Sequence, residues 1–202
     1  MNTIVKNSLE KSMSYQSFRT LVSDLLAKGK STGENQTEAL FNYSKLNNSR
    51  MKRLDKTFHL SKQAHESLQY LDRNITFIVL TESWCGDAAH SLPIIQKIAE
   101  NSKNIELKVA LRDENIPLMN QFLTGGAMAI PKLVAIDTDT HKIIGNWGSR
   151  PSEATKMVND YKEEHGSLDA DFKKDLQVWY NKNKGINIQN DILELLGLGK
   201  LA

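Results

Sequence analysis

The chain has 202 residues, 26 lysines and arginines against 24 acids, and a hydrophobic content of 40%. That near-balance excludes the strongly basic surface of a nucleic-acid binder and the bias of a disordered chain, and the length leaves ample material for a core. A single cysteine excludes an intrachain disulfide framework.

Residues 1 to about 72 read as a helical extension without proline. Phe18, Leu21, Val22, Leu25 and Leu26 recur at three- and four-residue spacing and predict an amphipathic helix. Lys28-Gly29-Lys30-Ser31-Thr32-Gly33 breaks it, with Gly29 suited to a helix C-terminus. A second helix is expected from about 35 to 55, and a third from Ser61 to Leu71 with Ser61 as its cap. The opening residues lack a basic region followed by an apolar stretch, so the expectation is no signal peptide and a cytoplasmic location. Lys45, Arg50, Lys52, Arg53 and Lys56 read as a solvated helix face, because the aromatic interleaving of a nucleic-acid surface is missing.

Residues 73 to 166 alternate β-rich runs with helical stretches. Ile75 to Thr81 is nearly continuous in apolar character and predicts a buried strand, too short to span a bilayer. A helix from Ala88 to Asn101 follows, then a strand from Ile105 to Leu111 and a short helix near 118–123. Strands at Lys132–Ile136 and Lys142–Trp147 flank the turn-like Asp137-Thr-Asp-Thr-His141, and a helix from Pro151 to Glu164 closes the zone. The order βαβαββα implies a mixed sheet, parallel at the crossovers and then an antiparallel hairpin. Residues 167 to 202 return to helix: Leu168, Phe172, Leu176 and Trp179 keep helical spacing, and Ile192, Leu195 and Leu196 mark a final apolar turn. This stripe is expected to dock within the chain, with a homodimer as the alternative use.

Thr81-Glu-Ser-Trp-Cys-Gly-Asp-Ala-Ala-His90 carries the chemistry. Cys85 follows a predicted buried strand and opens a predicted helix, where unpaired N–H groups and the macrodipole favour a thiolate. Gly86 allows close approach to the sulfur. Trp84-Cys85-Gly86-Asp87-Ala88 resembles the Trp-Cys-Gly-Pro-Cys site of the thioredoxin superfamily. Ala129-Ile130-Pro131 resembles that family's cis-proline segment, and Gly148 its groove glycine. The resemblance spans residues 73 to 166 and implies an α/β, thioredoxin-like fold, a mixed central sheet flanked by helices, with helical N- and C-terminal extensions. The flanks, Arg112-Asp113-Glu114-Asn115 and Trp147-Gly148-Ser149-Arg150-Pro151 are similar to a bacterial branch of the family with extra helices.

The departures are specific. The resolving cysteine of the family corresponds to Ala88, and its buried aspartate to Val79. No dithiol cycle can run within one chain. Asp87 and Glu82 oppose the dipole at Cys85, and Arg112 and Arg150 are the residues able to offset them. The resemblance implies Cys85 as a monothiol nucleophile, with Trp84, Gly86, Asp87, Ile130, Pro131 and Gly148 forming the substrate groove. Its substrate would be a protein disulfide or a mixed disulfide of a small thiol, resolved by an external thiol. The alternative is a non-redox binding module using the cis-proline groove, with Cys85 vestigial. Glu82, three residues before the cysteine, departs from the motif of the family's peroxidases. No cofactor is expected, and none of the histidines at 59, 65, 90, 141 and 165 has helical metal-site spacing. His90 is not expected to pair with Cys85.

Overall fold

The computed structural model describes residues 3–199; the extreme ends of the two helical zones lie outside them. Four helices come first: α1 (Thr3–Glu10), α2 (Tyr15–Ala27), α3 (Glu38–Thr57) and α4 (Lys62–Leu68). Local chemistry sets their starts. Side chains of Ser14, Thr37 and Ser61 accept the N–H three residues on, the standard use of a short polar side chain at a helix N-terminus. The second predicted helix therefore starts at Glu38 rather than near 35. Helix α1 is not marked as a separate element by the sequence spacing; it buries Val5 and Ser8 only.

The sheet follows, from β1 (Ile75–Thr81), α5 (Gly86–Glu100), β2 (Ile105–Leu111), α6 (Ile116–Met119), β3 (Lys132–Asp137), β4 (Ile143–Trp147) and α7 (Ser152–His165). Its strand order is β2-β1-β3-β4, with β1 parallel to β2 and antiparallel to β3, and β4 antiparallel to β3. This is the expected mixed sheet: the α5 crossover makes the parallel pair, and the Asp137–His141 turn makes the hairpin. The chain ends with α8 (Ala170–Asn183) and α9 (Ile186–Leu195).

Every residue of β1 is buried, which explains its continuous apolar run. Because side chains alternate across a strand, Phe77 and Val79 enter one apolar cluster, while Ile78 and Leu80 enter another. The first cluster takes in Phe18 of α2, Met51 of α3, Leu92 and Ile95 of α5, and Ile192 of α9. The second takes in Val5 of α1 and Leu118 and Met119 of α6. Both sequence-distant helical zones thus pack on the sheet domain. The segment between α1 and α2 also joins the sheet edge: Met13 and Val109 exchange two backbone hydrogen bonds of 2.8 Å, which covers an otherwise open strand. The short predicted helix near 118–123 ends earlier, at Met119, after a 3₁₀ turn at Arg112–Glu114. Among the described residues, no helix is long and apolar enough to cross a membrane.

Candidate functional site

Strand β1 stops at Thr81, and four residues later Cys85 is the N-cap of α5. Its N–H donates to the Glu82 carbonyl (3.1 Å), which turns the chain from strand to helix. The sulfur makes two contacts. It accepts the Ala88 N–H at 3.4 Å, and its S–H donates to the Ile130 carbonyl at 3.2 Å. The Ile130–Pro131 peptide bond is cis, and the thiol lies against the Ile130 carbonyl that precedes it. Gly148 lies against the same proline: a Cβ there would collide with the Pro131 carbonyl oxygen, so only glycine fits. The buried Lys132 secures this corner, donating to the Gly148 carbonyl and to Thr124 Oγ1, each at 2.8 Å.

Electrostatics at the sulfur run against ionisation. Cys85 is 8% exposed, and its pKa is pushed up to about 12, first by burial and then by the Asp87 charge. The Ala88 and Asp87 N–H groups and the Arg150 charge pull the other way and lose. Desolvation of a charge outweighs two N–H contacts and a cation already engaged elsewhere. Arg150 is engaged with Asp87 itself at 2.9 Å. Burial raises the Asp87 carboxyl, while Arg150 and the Tyr180 hydroxyl, which donates to Oδ1 at 2.9 Å, lower it.

Tyr180 comes from α8, almost a hundred positions away, and carries the network further. Its ring stacks on His90 with centroids 4.4 Å apart, and His90 Nε2 meets Gln177 Oε1 at 3.0 Å. Burial pulls the His90 pKa down to about 4, so the ring is neutral near pH 7. Tyr180, Gln177 and Lys132 do not stand out in the sequence. No motif marks them; the only hint for Tyr180 is its place in the apolar C-terminal helix.

The other expected tuning residues, Arg112 and Glu82, make contacts of their own. Arg112 pairs with Asp113 at 2.7 Å and lies 4.9 Å over the Trp84 ring. Glu82 is buried and accepts the Asp113 N–H at 3.1 Å. Burial raises the Glu82 carboxyl too, against the lowering effect of the Thr32 hydroxyl and that N–H. Ser83, between Glu82 and Trp84, is the hub of a second network. Its Oγ accepts the Thr32 N–H (3.0 Å) and hydroxyl (3.1 Å) and meets Ser44 Oγ at 2.7 Å. Its N–H donates to Thr32 Oγ1 (2.8 Å), and Asn47 Nδ2 donates to its carbonyl (3.0 Å). The N-terminal helices therefore hold the motif directly. Val79, where the family places an aspartate, is fully buried among apolar side chains. Among the described residues, no three His, Cys, Asp or Glu side chains are grouped to hold a metal ion.

A family model described as thioredoxin matches residues 33–162. No curated protein matches the chain. Among solved structures, the crystal structure of an HIV epitope-scaffold is similar at TM-score 0.57 and 17% identity, over 93% of this chain and 100% of that one. A protein of unknown function from Pseudomonas aeruginosa is similar at TM-score 0.56 and 18% identity, over 92% of this chain and 96% of that one. At such identities these two likenesses speak to the fold alone.

Proposed function

The chain belongs to the thioredoxin family, and from that premise we propose that it is a binding module of the fold. Its groove beside Trp84, Ile130, Pro131 and Gly148 holds an extended protein segment by strand-like pairing, and rapid redox turnover is absent. One observation carries this reading: the Cys85 thiol is buried and protonated, with a pKa pushed up to about 12.

The magnitude decides. Against a free thiol of pKa about 8.5, the thiolate fraction near neutral pH falls by roughly three to four orders of magnitude. The greater basicity of the sulfur returns between one and two of those orders, given a Brønsted slope of about 0.4–0.5. Exchange would therefore run about a hundredfold slower than at an ordinary cysteine. A carboxylate two residues away and an alanine in the resolving position point the same way.

A second reading has its own observation. The sulfur stands at the N-terminus of α5 and faces the Ile130 carbonyl, the arrangement from which a monothiol would attack. In that reading the Cys85 thiolate breaks a substrate disulfide and forms a new S–S bond. The displaced sulfur leaves as thiolate and takes up a proton, and an external thiol then cleaves the mixed disulfide.

Alkylation of the folded chain by iodoacetamide across pH 6–10 separates the two. The binding reading expects a rate about a hundredfold below that of free cysteine near pH 7, still climbing at pH 10, with Cys85→Ala keeping partner binding. An inflection below the ordinary thiol value, together with capture of mixed disulfides at neutral pH, would replace it with the monothiol reading.

A further inference from the structure

Arg50 and Arg53 belong to the basic run of α3 that reads as a solvated face in the sequence. In the fold, Arg53 lines a cavity of about 690 Å³ between the last turns of α3 and α8, which reaches Ile186 at the start of α9. The other basic residues of the lining are His59, Lys182 and Lys184, and no Asp or Glu is among the lining residues. All four basic residues are exposed, so a ligand from solution can reach them. Leu54, Phe58 and Ile186 add apolar surface, and Ile186 is 44% exposed.

The positive charge is not offset from within the chain. Among the described residues, Arg50, Arg53, Lys182 and Lys184 make no ion pair. Asp55, the acid inside the same basic run, is taken up by Arg19 at 2.6 Å, and Asp87 by Arg150 at 2.9 Å. Arg50 is half-buried, and its Nη1 meets only a neutral acceptor, Asn47 Oδ1, at 3.0 Å. Burial and then the Arg53 charge lower the Arg50 pKa, so the two guanidinium groups stand near enough to repel. A cation in the last turn of a helix complements the macrodipole, but that effect fades within one turn, and Arg50 lies about two turns before the end of α3.

The donors are also positioned. Arg53 Nη2 donates to Asn181 Oδ1 at 2.7 Å, which holds one corner of the guanidinium and leaves Nη1 and Nε without a protein partner. Asn183 Oδ1 accepts the Asn187 N–H at 3.0 Å. Both amide oxygens are in use, so Asn181 and Asn183 each bring an NH2 donor to the cavity lining.

We infer that this cavity binds a phosphate monoester, with the dianion on Arg53, Lys182 and Lys184 and the carbon part against Leu54, Phe58 and Ile186. A guanidinium with two free N–H positions suits phosphate oxygens, and the ammonium groups add charge with little directional demand. Permanent cations without an acid match a dianion better than a single carboxylate. The apolar side favours an ester over the bare ion. The ester can be a free small molecule or a lipid headgroup, since the phosphate chemistry is the same. The site shares only Tyr180 with the motif network and stands whether or not the binding reading of the Cys85 groove holds.

The test titrates the full chain with phenyl phosphate at a pH where it is a dianion, following amide NMR shifts. Saturable shifts at Asn183, Lys184 and Ile186 are expected, with a dissociation constant below about 1 mM. Inorganic phosphate should bind about fivefold more weakly, because it lacks the apolar part. Arg53→Gln should weaken phenyl phosphate about tenfold, and Lys184→Gln about threefold. Both side chains are exposed, so the second variant keeps the test open if the first disturbs folding. Cosedimentation with phosphatidylcholine vesicles carrying phosphatidic acid, lost in Arg53→Gln, assigns the ester to a lipid headgroup. Phenyl phosphate binding without cosedimentation assigns it to a free ester; both support the inference. Benzyl alcohol or inorganic phosphate binding as tightly as phenyl phosphate, unchanged affinity in both variants, or no saturation would overturn it.

Discussion

Two buried polar networks flank Trp84, and they differ in kind. On one side Ser83 gathers Thr32, Ser44 and Asn47 through hydroxyls and amides alone. On the other, Cys85 opens onto Asp87, Arg150, Tyr180 and His90, all of them able to titrate or already charged. The neutral hub loses little to desolvation because nearly all its donors and acceptors meet a partner, so it can anchor the motif under all ordinary conditions. The charged network responds to pH, and its burial sets the state of the thiol. A family scaffold thus keeps its motif in place by one mechanism and sets its reactivity by another.

Acid is the largest lever on that contrast. His90 has a folded pKa near 4 against an ordinary 6.5. The unfolded chain binds its proton first as pH falls, so stability drops between about pH 6.5 and 4. The full loss is about 3 kcal/mol. Urea midpoints should show that slope in the wild type and lose most of it in His90→Gln; an unchanged slope would assign the acid sensitivity elsewhere.

A smaller effect belongs to the hub. Ser83→Ala strands the Thr32 N–H and the Ser44 hydroxyl in a dry setting, at a cost of about 2 kcal/mol. The comparison predicts the same loss at pH 5 and pH 8, measured by chemical denaturation. A loss that changed with pH would mean that the two networks are coupled.

The smallest effect is a reactivity change. Asp87→Asn removes the charge that raises the thiol and frees Arg150, and both changes lower the Cys85 pKa. Alkylation at pH 8 should speed up by about threefold, because a drop of about one pKa unit gives about tenfold more thiolate of about threefold lower nucleophilicity. If the rate stays put, burial alone governs the sulfur and Asp87 serves only the Arg150–Tyr180 cluster.

Much of the site is legible in the linear chain. Ile130-Pro131 and Gly148 stand out because their chemistry is local: a proline restricts the backbone and a glycine frees it, whatever surrounds them. The reach of the N-terminal zone is less visible. Thr32 reads as part of a breaker cluster, and nothing in Lys28–Gly33 shows that it turns inward to bond Ser83. The same holds for Arg112, which stands in a charged run and in the fold covers Trp84 rather than the sulfur.

What the sequence determined by itself is the order of the elements and the place of Cys85 at a strand-to-helix junction. Spacing of two and of 3.6 residues, short polar caps and turn residues act over a few positions and need no distant partner. Tertiary structure alone decided the charge state of that cysteine. The helix N-terminus favours the thiolate, and burial opposes it more strongly. Burial is a sum over atoms brought in from α1, α6 and the β3 segment, with Arg150 and Tyr180 setting the charge of Asp87. Desolvation and Coulomb terms depend on distance through space, and that quantity is absent from a linear chain.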